Sequence, residues 1–287
     1  INEPLTGNKF TYREFNILVN KTASLLLENN LAKGDFCSII IENSWRYLCF
    51  YFAAIKLGVV INPFPITLEI QDLKRYISYV KPGLVAVTSR ISEQLIKLDS
   101  TLNVLEVSEF NFMDILKAQR ESEGIFPIVH EDSPSCLYYS SGTTASPKGV
   151  LVSHKNMLSN ISSIVEGFKF NNIENHLVFL PLGHTATINY SILPCLFLGG
   201  TITLVESIWE IRAIFWELVS KHQITFLEMV PTSLIIILNM PRPKNDLDLS
   251  SLKWVGCGSS QLLISHQKDF YNKFKIKVGN LYGLSET

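Results

Sequence analysis

The sequence predicts an α/β protein with largely parallel sheets flanked by helices. Three observations carry that expectation. Strand-like and helix-like segments alternate along the chain. The strand-like segments are apolar almost throughout, as in strands covered on both faces. One polar stretch, residues 121–134, holds Gly124, Pro127 and Pro134 and divides the alternation in two.

The first strong strand is 36–42 (FCSIIIE). Asn43-Ser44 then offers a helix cap, because a short side-chain oxygen accepts from a backbone N–H of the first turn. The helix expected over 45–57 ends at Gly58, since glycine takes left-handed backbone without a Cβ penalty. A short strand at 59–62 stops at Pro63 and Pro65, which break regular structure. Helix 69–80, strands 84–88 and 104–107, and helix 113–121 complete the first half. The second half gives strands at 177–182, 201–205, 225–229 and 253–257, with helices at 155–167, 209–222, 232–240 and 262–274. Such alternation argues for α/β layers. The expected division is a first α/β lobe over 1–125 and a second over 126–287.

Composition bounds the function. With 287 residues, 47% hydrophobic and 18% charged, the chain can bury a core, which excludes a disordered polymer. A net charge of -1 lacks the basic excess of a nucleic-acid binder, so no nucleic-acid partner is expected. Cys37, Cys49, Cys136, Cys195 and Cys257 contain no CxxC pair. Reduced thiols in a cytoplasmic protein are expected rather than zinc or disulfides. The apolar runs at 48–61, interrupted by Lys56, and at 234–238 fall short of the ~18 residues a membrane span needs.

One segment carries the chemistry: residues 138–150, YYSSGTTASPKGV. Ser140, Ser141, Thr143 and Thr144 place four hydroxyls in five positions around Gly142, and Lys148 follows. Polyphosphate oxygens only accept hydrogen bonds, so hydroxyls, loop N–H groups and an ammonium complement them. The loop is not GxxxxGK[ST], because Pro147 stands five positions after Gly142. A flexible surface turn shares the composition, but the ordered string ending Pro147-Lys148-Gly149 favours phosphate binding. The loop is expected to join a strand beginning at Cys136-Leu137 to a helix.

This string resembles the signature loop of the adenylate-forming superfamily, which includes acyl- and aryl-CoA synthetases, firefly luciferase and peptide-synthetase adenylation domains. Ala145 stands where the family usually has glycine. Leu180-Pro181-Leu182-Gly183-His184 resembles the family's Leu-Pro-x-aromatic-His segment, which lines the acyl pocket. His184 matches the histidine; Gly183 replaces the aromatic and is expected to leave space near the carboxylate site. Residues 254–262, WVGCGSSQL, resemble the adenine-contact turn Ser-Gly-Gly-Ala-Pro-Leu through Gly258, while Cys257 and Gln261 depart from it. Residues 280–287, NLYGLSET, resemble the Tyr-Gly-x-Thr-Glu motif. The landmarks FTYREF at 10–15, KGD at 33–35, AIKLG at 54–58 and Asn62-Pro63 follow the family's order. The resemblance covers nearly the whole chain and implies two stacked α/β lobes, as in the large N-terminal domain of these enzymes.

What the resemblance implies is ATP-dependent activation of a carboxylic acid to an acyl-adenylate. Transfer to coenzyme A or a carrier-protein thiol follows, the work of an acid–thiol ligase. Ser140, Ser141, Gly142, Thr143, Thr144 and Lys148 would hold phosphates. Gly258, Ser259, Asn280, Leu281, Tyr282 and Gly283 would frame the nucleotide, with Tyr282 near adenine and Ser285 on phosphate. Glu286 would hold Mg²⁺. His184 and Lys148 are the expected catalytic residues. Amino-acid-activating members carry an Asp after the pocket aromatic; the segment 184–190 (HTATINY) has no acid, so a fatty or aryl acid is expected, neutral beyond its carboxylate.

The alternatives are a non-catalytic nucleotide- or acyl-binding module, an amino-acid adenylation domain, and an NAD-binding oxidoreductase. The last is opposed by Gln261 at the third glycine of GxGxxG and by the lack of an acid about 20 residues beyond Gly258. His130-Glu131 does not continue to HExxH, and no GxSxG elbow or metal-spaced Cys/His cluster occurs. The sequence ends inside its last motif, where family members continue to a ribose-binding Asp, a hinge and a C-terminal lid domain with a Lys. The expectation is that 287 residues alone bind ATP weakly and make no acyl-CoA.

Overall fold

The computed structural model describes residues 1–120, 126–140, 148–284 and 286. Among them the chain forms two sheets flanked by helices, the α/β class expected. A six-stranded sheet runs in the order Val104–Glu106, Leu84–Val87, Phe36–Ile40, Val60–Pro63, Pro134–Ser140, Lys148–Ser153. Its pairs are parallel except the last, an antiparallel hairpin. A seven-stranded sheet runs Val278–Asn280, Trp254–Cys257, Phe226–Met229, Asn175–Val178, Thr201–Leu204, Asn2–Glu3, Asn8–Lys9. It too is parallel except for its terminal hairpin.

The sheets do not divide at residue 125. The six-stranded sheet takes two strands from beyond that point, and the seven-stranded sheet takes its first two from the start of the chain. Partner choice across long separations decides this, and local pattern carries no trace of it.

The helix Trp45–Leu57 packs between the layers. Its sequence, WRYLCFYFAAIKL, is apolar except for Arg46 and Lys56 near its two ends, the signature of a largely enclosed helix. Tyr47, Leu48, Cys49, Phe50 and Tyr51 are fully buried, in one core with Ile188, Ile192, Ile202 and Leu204 of the other layer. Ser44 caps it by accepting from the Tyr47 N–H, and Gly58 ends it at φ +69°.

Several elements depart from the sequence expectation. Lys148–Ser153 is a strand paired antiparallel with Pro134–Ser140, where the sequence suggests a loop leading straight into a helix. Val150, Leu151 and Val152 favour the pleat, and the next helix waits for the Ser153 cap. The single helix expected over 209–222 is two, Ile208–Ile211 and Phe215–Lys221. Helices Tyr12–Glu28 and Ser89–Leu98 are additions to the expected set. The first carries a sequence signal, a capping box in which Thr11 and Glu14 each accept from the other's backbone N–H.

Candidate functional site

A cleft of about 700 Å³ opens between the two sheets. Its lining follows a rule of open α/β sheets, that ligands sit beyond the carboxyl ends of the strands. Phe64 follows Val60–Pro63, Leu180 follows Asn175–Val178, Val230 follows Phe226–Met229, Gly258 follows Trp254–Cys257 and Leu281 follows Val278–Asn280. Tyr139 lies near the end of Pro134–Ser140. One wall is aromatic: Tyr76 and Tyr139 have centroids 4.5 Å apart, and Phe64 stacks on Tyr139 at 5.9 Å.

The segment carrying His184 is pinned from the other layer. Asn43 Nδ2 donates to the Leu180 carbonyl at 2.8 Å and to the Val205 carbonyl at 3.3 Å, while Asn43 Oδ1 accepts from the Leu182 N–H at 2.8 Å. The Tyr47 hydroxyl donates to the Leu182 carbonyl at 2.8 Å. The sequence reading saw Asn43 only as a cap; its contacts lie about 140 residues away. His184 stands at solvent's edge in the cleft, and desolvation by the surrounding walls lowers its pKa from the ordinary histidine value. The ring is therefore neutral at pH 7.

Gly183 corrects an expectation. A Cβ there would fall 2.5 Å from Pro65 N and 2.6–2.7 Å from the Phe64 carbonyl group. Backbone already fills the room that an aromatic would need, so Gly183 permits close approach rather than leaving space.

Gly258 works similarly. Its Cβ would meet Leu281 Cβ and O at 2.7 Å, so the turns after two neighbouring strands touch only because the side chain is absent. Leu281 N–H donates to the Cys257 carbonyl and Gly258 N–H to the Met229 carbonyl, fixing both turns. Ser259 is left-handed at φ +66°, a conformation that costs a non-glycine residue about 1–3 kcal/mol. The Tyr190 hydroxyl donates to the Tyr282 carbonyl at 3.2 Å, while the Tyr282 ring is 83% exposed and open to a planar partner.

The cleft thus gathers His184, Gly258, Ser259, Leu281, Tyr282, Gly283 and Glu286 from three separate motifs. Asn280 and Lys148 lie outside its lining; Asn280 pairs with Cys257 in the sheet, and Lys148 is exposed opposite Ser140 in the hairpin. Ser141, Gly142, Thr143, Thr144, Ala145 and Ser285 lie outside the described residues, as does the side chain of Ser140.

Sequence reasoning missed Glu228. It is 4% exposed, lies on Phe226–Met229 and lines the cleft. Burial pushes its carboxyl up to about 7, against the opposing effect of a 2.7 Å hydrogen bond from the Ser191 hydroxyl. Ser191 and Tyr190 sit on a π-helical turn, Thr187–Ile192, and the Ser191 carbonyl bonds to Nδ1 of buried His176 at 2.8 Å. The available signal was a lone acid inside an otherwise apolar strand, FLEM.

The architecture is that of the large N-terminal domain of adenylate-forming enzymes. MatB from Rhodopseudomonas palustris superposes with a TM-score of 0.89 at 22% identity, covering 98% of this chain and 56% of that one. The N-terminal domain of FACL13 from Mycobacterium tuberculosis does so with a TM-score of 0.89 at 23% identity, covering 99% of this chain and 71% of that one. The chain belongs to the AMP-binding enzyme family, whose model matches residues 4–287. Its relatives include 4-coumarate–CoA ligase 3 of Arabidopsis thaliana, 27% identical over 298 residues, covering 98% of this chain and 52% of that protein. The chain spans about half the length of the relatives it matches. Among the described residues, no helix is long and apolar enough to cross a membrane.

Proposed function

We propose that this domain binds ATP and a fatty or aryl carboxylic acid in the cleft and joins them as an acyl-adenylate. In the full-length protein the acyl group then passes to coenzyme A, as in the ligases that the Arabidopsis relative represents. The carrying observation is the convergence of three motifs, distant in sequence, on one cleft beyond the strand ends. A carboxylate oxygen attacks the α-phosphorus, the bond to pyrophosphate breaks, and negative charge builds on the phosphates. The hydroxyls of Ser140, Ser141, Thr143 and Thr144 and the ammonium of Lys148 would supply the donors that such charge calls for. Tyr282 offers a face to adenine, and Gly258 and Ser259 border the nucleotide. Neutral His184 lies beside the acid without adding a competing charge.

Magnesium fits as an ion carried in with the nucleotide. Glu286, exposed at the cleft, offers one carboxylate, and phosphate oxygens complete such a shell. Among the described residues no group of three His, Cys, Asp or Glu side chains would hold a cation alone. A cytoplasmic location fits five buried, free cysteines.

ATP–pyrophosphate exchange by the full-length protein over a panel of fatty, aryl and amino acids tests the reading; exchange with none of them refutes it. Lys148→Ala should weaken ATP binding about ten- to a hundredfold, the worth of one charge-assisted contact. Unchanged ATP affinity by calorimetry would remove Lys148 from the site. Glu286→Gln should abolish most of the Mg²⁺ dependence of ATP binding, because the amide loses the charge a hard cation prefers. An unaltered Mg²⁺ titration would exclude it.

A further inference from the structure

We propose that Glu228 sets the chemistry of the acid: the cleft selects a carboxylic acid that carries a second polar group able to donate a hydrogen bond, an ammonium or a hydroxyl. This rests on the reading of the cleft as an acid-binding site and narrows it.

Glu228 is an anomaly of position. Its strand neighbours Phe226, Leu227 and Met229 are apolar and buried, and both adjoining strands are parallel partners. A residue here needs no charge to hold the fold. Burying a carboxyl is costly unless its oxygens are satisfied. Only one is met: Oε2 accepts from Ser191, and among the described residues nothing donates to Oε1. No Lys, Arg or His forms an ion pair with it among the described residues. Glu228 itself lines the cleft, so the carboxyl with one oxygen unmatched by the described residues belongs to its wall.

The neighbours leave room for that role. Tyr190 of the π-helical turn lines the cleft, Ser191 is buried next to it, and Val230 follows the strand that carries Glu228. Tyr190 is already engaged with the Tyr282 carbonyl and Ser191 with Glu228 itself. A donor on the acid would complete the set. An ammonium would also supply the counter-charge that burial withholds and hold the carboxyl ionised; a hydroxyl could donate to either form. The absence of acids at 184–190 does not argue against such a substrate, because this carboxyl comes from residue 228.

A purely structural Glu228, present only to anchor Ser191, would affect all acids alike. The test is therefore a ratio. Affinities of the chain, with a non-hydrolysable ATP analogue, are measured by calorimetry for two matched trios. One is 4-(aminomethyl)benzoate, 4-(hydroxymethyl)benzoate and 4-ethylbenzoate; the other is 5-aminopentanoate, 5-hydroxypentanoate and hexanoate. In at least one trio a donor-bearing acid should bind more tightly than the alkyl acid, about ten- to a hundredfold for ammonium and about tenfold or less for hydroxyl. Glu228→Leu should erase that ratio, and Glu228→Gln should erase it for ammonium while keeping part of it for hydroxyl. Folding losses shared by all ligands cancel within each variant. Equal binding of donor and alkyl acids by the native chain overturns the proposal, as does a preference that survives in Glu228→Leu. If ATP binds but no acid of either trio does, the acid site itself is misplaced and this inference falls with it.

Discussion

Asn43→Ala should destabilise the chain by about 2–5 kcal/mol and displace His184. The side chain makes hydrogen bonds to Leu180, Leu182 and Val205, all in the opposite layer. Removing it leaves two carbonyls and one N–H without that partner, and each buried group so stranded costs about 1–3 kcal/mol. Against a total stability of roughly 5–15 kcal/mol, that loss is large. Ser44→Ala is the matched control, because it removes the helix cap and leaves the interlayer bonds, at a cost of about 1 kcal/mol. Urea denaturation of both variants decides the matter. If Asn43→Ala loses no more than Ser44→Ala, the asparagine acts only as part of the turn.

Glu228→Gln should make the protein more stable at pH 8 and leave it little changed near pH 4. The carboxyl sits at about 7 in the folded chain, against 4.5 for the ordinary side chain, with burial the cause. Below pH 4.5 both states hold the proton, and there is no penalty. Between 4.5 and 7 the unfolded chain releases it while the folded chain keeps it, so native stability falls as pH rises. Above 7 the full penalty applies, about 3 kcal/mol for a shift of this size. Glutamine cannot ionise and escapes it, while its oxygen can still accept from Ser191. Parallel stability–pH curves for the native protein and the Glu228→Gln variant would show that the buried carboxyl is solvated well enough to ionise freely.

The difference between what was legible in the sequence and what was not is one of range. The layered α/β class followed from strands such as 36–42 and 84–88, whose apolar runs encode burial on both faces locally. Helix Trp45–Leu57 was readable to the residue, because Ser44 and Gly58 mark its ends by backbone chemistry. The phosphate-binding expectation for the hydroxyl-rich string at 140–144 comes from residue order alone, and residues 141–144 lie outside the described residues. The helix Tyr12–Glu28 was signalled by Thr11 and Glu14 and passed over. Gly183 and Glu228 could not be weighed from their neighbours in sequence. One is decided by the backbone of Phe64 and Pro65, more than a hundred residues earlier, and the other by Ser191 on a different element. The strand beginning at Lys148 was misread because a helix does follow, six residues later.

The exchange of hairpins between the sheets also fixes an order of events during synthesis. Asn2 pairs with Thr203, so during synthesis the strand Asn2–Glu3 waits for a partner about 200 residues behind it. At roughly 5–20 residues per second, that interval is on the order of 10–40 s. The six-stranded sheet must likewise wait for Pro134–Ser140 before Val60–Pro63 ceases to be an edge. Neither sheet can close while only the first half of the chain exists. Until those later strands are made, the nascent segment carries unpaired strand edges and the largely apolar helix Trp45–Leu57, surfaces of the kind that pair or aggregate with other chains.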